Sequence, residues 1–190
     1  MRVGAVFILG LYFLLYLDCR PAAPPVSVSN RPVSINDRPV TNLPLPPSKP
    51  LAEMSWTDGE GRVQKLADLQ GKAVILDFWA TYCPPCRQEI PHLNSLIAKY
   101  GRDNLEIVGL NVGGDEDKPA IPSFIAKTKM DYPIAFPESE LTRFIFATRD
   151  DIPQTAVFDR KGTMITKIVG FSPDIQKELD NAVEQAVKSE

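Results

Sequence analysis

Cysteine and histidine are scarce in this 190-residue chain, which holds three cysteines (Cys19, Cys83 and Cys86) and one histidine, His92. Three thiols cannot build a structural disulfide framework, and they leave one pair and one outlier. Structural zinc takes four ligands, usually two cysteine pairs or one pair with histidines. A single pair with one histidine six residues beyond it falls short, so no metal is expected. A basic excess is also missing: 21 Lys and Arg against 24 Asp and Glu give a net charge of −3, no footprint for nucleic acid. Long apolar runs are missing too. The fifteen uncharged residues Val3–Leu17, between Arg2 and Asp18, fall short of the roughly 20 that a spanning helix needs. What remains is ordinary, 44% hydrophobic and 24% charged, with room for one domain and its core.

The Val3–Leu17 run matches the apolar core of a signal peptide, and residues 1–19 are read as a signal peptide or membrane anchor. Cys19 closes the run where bacterial lipoproteins carry their acylated cysteine, although Asp18 and Tyr16 depart from that signal; Cys19 is a candidate lipid attachment site. Cleavage, lipidation and an uncleaved anchor all stay open. Each puts the folded part outside the cytoplasm, periplasmic or otherwise extracytoplasmic; the expected tether to the cytoplasmic membrane would run through this segment only. Residues 20–50 hold nine of the eighteen prolines and no aromatic residue. Such a composition cannot bury a core, and it reads as an extended, flexible stalk. The folded domain is expected over 51–190, and there is no internal repeat.

Within that domain, two short strands flank the turn signal Asp58-Gly59. "AVILDFWA" (73–80) is a near-continuous apolar run, as in a strand buried on both faces, and "LEIVGLNV" (105–112) is another. Leu93, Leu96, Ile97 and Tyr100 recur at helical spacing. Ile121, Phe124 and Ile125 predict a second helix, "YPIAF" (132–136) a short strand, and Leu141, Phe144 and Ile145 a third helix. Residues 155–170 read as a hairpin turning at Arg160-Lys161-Gly162, followed by a helix with Ser172 as N-cap and Pro173 at its first position. Strands alternating with helices, plus a late hairpin, predict an α/β domain with a mixed central sheet flanked by helices.

The chemistry concentrates in "FWATYCPPCRQEIP" (78–91). Cys83 follows a strand, and Pro84 suits the first turn of a helix, where no backbone donor is needed. The Cys83 sulfur then sits at a helix N-terminus, where the dipole and free N–H groups favour thiolate. Cys86, one turn later, can close a disulfide with it. Cys83 is expected to be the exposed attacking thiol and Cys86 the recessed resolving thiol. Asp77, a carboxylate inside an apolar run, is costly to bury, and burial would raise its pKa towards exchange with Cys86. Glu89, on the same helical face as Cys86, is a second candidate for that proton.

The segment "DFWATYCPPCRQEIP" resembles the active-site segment of the thioredoxin superfamily, and residues 51–190 follow the order of its TlpA/ResA type, the membrane-tethered extracytoplasmic thioredoxins. The matching positions are Asp77, Trp79, Cys83, Pro85, Cys86 and Pro91. "DDIPQTAVFDRKGTMITKIVGF" resembles the second family segment, in which a cis-proline faces the cysteines; Pro153 matches it, with Ile152 before it. The resemblance implies a thioredoxin-like fold with an N-terminal β-hairpin and a central helix-strand insertion. It implies Cys83 and Cys86 as the redox-active disulfide, with Asp77 and Pro153 in the catalytic set; Glu89, from its place on the helix, stays the alternative to Asp77 as proton relay. Trp79, Tyr82, Pro84, Ile152 and Pro153 form the implied client-binding surface. Two departures stand out. Tyr82 replaces a tryptophan common before the first cysteine, and Asp77 stands where many of this type carry asparagine.

The expected activity is a thiol–disulfide oxidoreductase with no further cofactor. The two prolines between the cysteines give Cys83 neither charge nor N–H, so the poise should favour donating electrons. The expected partners are protein thiol or disulfide clients, for example in cytochrome c maturation or copper-site assembly, and a membrane thiol donor; the domain itself is expected to be monomeric. The alternatives are a net oxidase or isomerase, and a thioredoxin-fold adaptor without turnover. A peroxiredoxin-like peroxidase fits less well, because Thr81 stands two residues before Cys83 and not three.

Overall fold

The computed structural model describes residues 49–189. The Val3–Leu17 run, Cys19 and the stalk up to residue 48 lie outside the described residues. The elements are β1 (Ser55–Asp58), β2 (Val63–Lys65), β3 (Ala73–Trp79), α1 (Pro84–Tyr100), β4 (Leu105–Asn111), α2 (Ile121–Thr128), β5 (Ile134–Pro137), α3 (Ser139–Ile145), β6 (Gln154–Phe158), β7 (Met164–Val169) and α4 (Pro173–Lys188). The strands form one seven-stranded sheet in the order β2-β1-β5-β4-β3-β6-β7. It is mixed: β3 pairs parallel with β4 and antiparallel with β6, and β4 pairs parallel with β5. The expected α/β fold is the one observed, with the hairpin β1–β2 leading in and α2–β5 inserted before α3. Among the described residues, no helix is long and apolar enough to cross a membrane.

All seven residues of β3 are buried, which is why its sequence reads as a continuous apolar run. Successive side chains of a strand point to opposite faces. Ala73, Ile75 and Trp79 pack into the cluster that holds Ile90, Leu93 and Leu96 of α1, Phe124 of α2 and Leu179 and Val183 of α4. Val74, Leu76 and Phe78 pack on the other face with Trp56, Leu141 and Ile145. Asp77 is therefore on the face covered by α1, α2 and α4.

The expected strand over 132–136 begins two residues later. Pro133 has no N–H for a ladder, and its carbonyl accepts from Gly109 N at 2.8 Å. Tyr132 consequently leaves the strand and turns into the core under α1. The other predicted elements form close to their expected places. Ser172 caps α4 by accepting from Ile175 N, and Gly162 takes a φ of 79° at the tip of the β6–β7 hairpin.

Candidate active site

Cys83 is the N-cap of α1, and Pro84 and Pro85 open the helix. Neither proline has an N–H, so the first amide available to the cap is that of Cys86. It donates to Cys83 Sγ over 3.2 Å. Cys83 and Cys86 form a disulfide across three residues of chain, with Cα atoms 5.4 Å apart. The Ile152–Pro153 peptide bond is cis. The Ile152 carbonyl oxygen lies 3.6 Å from Cys83 Sγ, so the loop before β6 faces that sulfur.

One expectation is corrected at this point. Cys83 is not openly exposed: it retains 4% of its surface, against 1% for Cys86, because the 151–153 loop lies over the helix start. The exposed element is Tyr82, at 66%, with Pro84 beside the pair also open to solvent. Ile152 is half-buried and Pro153 buried. Tyr82, not the Cys83 sulfur, is what this end of the domain presents to solvent.

A second correction concerns Trp79, which was expected on the client surface. It is fully buried and stacks on Phe124 with ring centroids 4.8 Å apart. The Arg87 guanidinium lies 5.7 Å from the other partner of that stack, the Phe124 ring, and donates to the Thr81 carbonyl over 2.8 Å. The residue number of Trp79 explains the burial. It shares the odd-numbered face of β3 with Ile75, and α1 and α2 close over that face.

Asp77 and Glu89 are brought together beneath the helix start, each only 1% exposed. Asp77 Oδ2 accepts from the Tyr132 hydroxyl at 2.8 Å, and Glu89 Oε1 accepts from the Thr155 hydroxyl at 2.7 Å. Thr155 is the β6 residue directly opposite Asp77. Asp77 Oδ1 and Glu89 Oε2 make no hydrogen bond among the described residues. Burial carries the Asp77 carboxyl from its ordinary 3.8 up to about 7, against the pull of the Tyr132 hydrogen bond. Burial likewise pushes Glu89 well above its usual range, and the Asp77 charge pushes it further, with the Thr155 bond opposing. A solvated strand end for Asp77 and an exposed helix surface for Glu89 are thus both ruled out by position.

Three further residues shape the site that sequence reasoning passed over. Asp117 accepts from Thr81 N at 3.0 Å, from the Thr81 hydroxyl, and from Asn111 Nδ2 at 2.7 Å, tying the loop before Cys83 to the segment leading into α2. Burial raises its pKa, but these hydrogen bonds outweigh burial and hold it below the usual carboxylate range. Gly113 makes room for it, since a Cβ there would lie 2.4 Å from Asp117 Oδ2. The third is Tyr132. Its signal was present in the sequence as Gly109, a glycine inside a buried strand, which marks a close approach by something else. Among the described residues, no group of three or more His, Cys, Asp and Glu could hold a metal ion.

Comparison with known proteins follows the same lines. The AhpC/TSA family profile matches residues 47–168. A thiol-disulfide oxidoreductase ResA of Bacillus cereus is 33% identical over 114 residues, 60% of this chain and 64% of that protein. The chain thus spans less than two thirds of that relative's length. A ResA of Geobacillus thermodenitrificans is 32% identical over 127 residues, 66% of this chain and 71% of that protein. Among solved structures, a Chlorobium tepidum protein bearing the name thiol:disulfide interchange protein DsbE superposes with a TM-score of 0.61 at 30% identity, covering 72% of this chain and 94% of that one.

Proposed function

The chain belongs to the AhpC/TSA family and has a thioredoxin-like fold, and from that premise we propose that it is a thiol–disulfide oxidoreductase that reduces disulfides in client proteins outside the cytoplasm. One observation carries the reading: two cysteines at the start of α1 are joined as a disulfide, with the Cys86 amide aimed at Cys83 Sγ. That is an arrangement for exchange, since the sulfur that must leave and return as thiolate is met by an N–H at a helix N-terminus. Thr81 stands two residues before Cys83, which argues against the peroxidase chemistry considered above.

In the reducing direction, the Cys83 thiolate attacks one sulfur of the client disulfide. A Cys83–client bond forms, and the other client sulfur leaves as thiolate and takes up a proton. Cys86 then gives its proton to a buried carboxylate, and its sulfur attacks Cys83 Sγ. The second client thiolate departs, and the Cys83–Cys86 disulfide remains. Two electrons have passed to the client. A membrane thiol donor would restore the dithiol.

The two prolines support this direction. They leave Cys86 N as the single amide bonded to Cys83 Sγ among the described residues. A sparsely stabilised thiolate makes the dithiol the more willing electron donor. Tyr82, Pro84, Ile152 and Pro153 would receive the client. Residues 1–19 would direct or anchor the chain at the membrane, residues 20–50 would hold the domain away from it, and residues 51–190 would act as a monomeric domain. Clients in cytochrome c maturation or copper-site assembly fit the family resemblance. The test is dithiothreitol-driven insulin reduction. Wild type should accelerate it and Cys83→Ser should not; equal rates for the two would leave a binding adaptor as the better reading.

A further inference from the structure

The segment between α2 and β5 carries Tyr132, which is buried, and its hydroxyl reaches back across the sheet to Asp77 Oδ2 at 2.8 Å. The space for its ring is left by Gly109, the β4 residue paired with Asp77. A Cβ on Gly109 would stand 3.0 Å from Tyr132 Cε2 and 2.9 Å from Trp79 Nε1. Glycine inside a strand is costly, and here the cost admits one aromatic ring. A phenylalanine would fill that space equally well. The hydroxyl is the surplus feature: burying it costs free energy unless it is bonded, and Asp77 is its partner.

Resting on the oxidoreductase reading, we propose that Tyr132 is a positioning residue of the proton relay, holding Asp77 so that it, rather than Glu89, takes the proton of Cys86. The groups facing Asp77 come from four elements. Tyr132 donates from the segment before β5, Glu89 on α1 feels the Asp77 charge, and β6 supplies the neutral Thr155, bonded to Glu89. β4 supplies Gly109, which carries no charge. A donor fixed on one oxygen favours the ionised form of a carboxyl, and ionised Asp77 in turn favours protonated Glu89. The pair then divides its work. Glu89 keeps a proton, and Asp77 can accept one on Oδ1, the oxygen without a partner among the described residues. In the resolving step the Cys86 S–H proton passes to that oxygen while the Cys86 sulfur bonds to Cys83 and the client thiolate leaves with its electron pair.

The test uses the full-length protein, wild type and Tyr132→Phe, loaded with a small disulfide as a mixed disulfide on Cys83. Single-turnover release of the thiol is followed from pH 5 to 9. Removing one hydrogen bond to a charged acceptor should move the acid limb of the profile upward by about one pH unit. Release at pH 7 should then be about fivefold slower, converging on wild type near pH 9, and Tyr132→Phe added to Asp77→Asn should change nothing further. An unshifted limb, or a uniform loss at every pH, overturns the proposal and leaves Tyr132 a core residue. If circular dichroism shows Tyr132→Phe unfolded, ¹³C titration of wild type decides. Asp77 carboxyl and Tyr132 ring signals should share one midpoint, and separate midpoints overturn the proposal. A wild type that releases no thiol at any pH would instead sink the oxidoreductase reading itself.

Discussion

Replacing Asp77 with asparagine keeps the shape of a fully buried side chain and removes its charge. The folded protein holds this carboxyl's proton up to about pH 7, because burial outweighs the Tyr132 hydrogen bond, whereas its ordinary value is 3.8. Between those two values the folded chain binds a proton that the unfolded chain has lost. Stability therefore falls as pH rises through that window, and the whole cost is present above about pH 7. A gap of about three pH units corresponds to about 4 kcal/mol at 1.36 kcal/mol per unit. Asparagine brings its own amide to bury, at a cost of about 1–3 kcal/mol where it finds no partner. The net expectation is no gain for Asp77→Asn at pH 4 and a gain of about 1–3 kcal/mol at pH 8. Urea unfolding of the oxidised proteins at pH 4, 6 and 8 measures it from midpoint and slope. A variant less stable than wild type at pH 8, or a difference that does not grow with pH, would refute the burial argument.

Cys86→Ser should trap clients on Cys83 as mixed disulfides, visible on non-reducing gels, and alkylation of the reduced wild type near neutral pH should label Cys83 much faster than Cys86. Equal labelling would mean that the start of α1 does not activate its cap. Asp117→Ala should release the Thr81–Tyr82 loop from the two hydrogen bonds that Asp117 accepts from Thr81, and Asn111 from a third. Insulin reduction should then fall several-fold with unfolding free energy lowered by about 1–3 kcal/mol; unchanged reduction would show that the loop before Cys83 needs no tether.

The backbone of the site was legible because each of its parts has a local signature. A buried strand shows as an apolar run, a helix start as prolines after a cap, and the two cysteines as a pair at one-turn spacing. Asp77 was legible as an exception to its own pattern, a carboxylate where the run should be apolar. Glu89 could be placed on the right helical face, but its burial could not be read, since burial depends on β6 crossing beneath α1 and delivering Thr155. Trp79 shows the limit from the other side. Its place in the motif suggested a surface role, yet the alternation along β3 sends it inward with Ile75, onto Phe124 from a helix forty-five residues later. Tyr132 and Asp117 were illegible for the same reason. Each acts through a partner distant in sequence, and only the glycines that admit them, Gly109 and Gly113, left a trace in the chain.

Those contacts bear on why the chain keeps aspartate at position 77. A second buried carboxyl whose charge reaches Glu89 raises the cost of ionising Glu89, so it weakens the fold at neutral pH. Each is held by one neutral hydroxyl, which orients it without cancelling its charge. An ion pair would have fixed both groups in one protonation state. Two carboxyls with single neutral donors can still exchange protons in the range where thiols must lose and regain theirs. The insertion is part of that arrangement, because α2 carries the Phe124 that covers Trp79 and the following turn carries Tyr132. The helix-strand insertion therefore reaches a buried carboxyl of the central strand, and changes in it should be felt in the chemistry of Cys86 before they are felt in the choice of client.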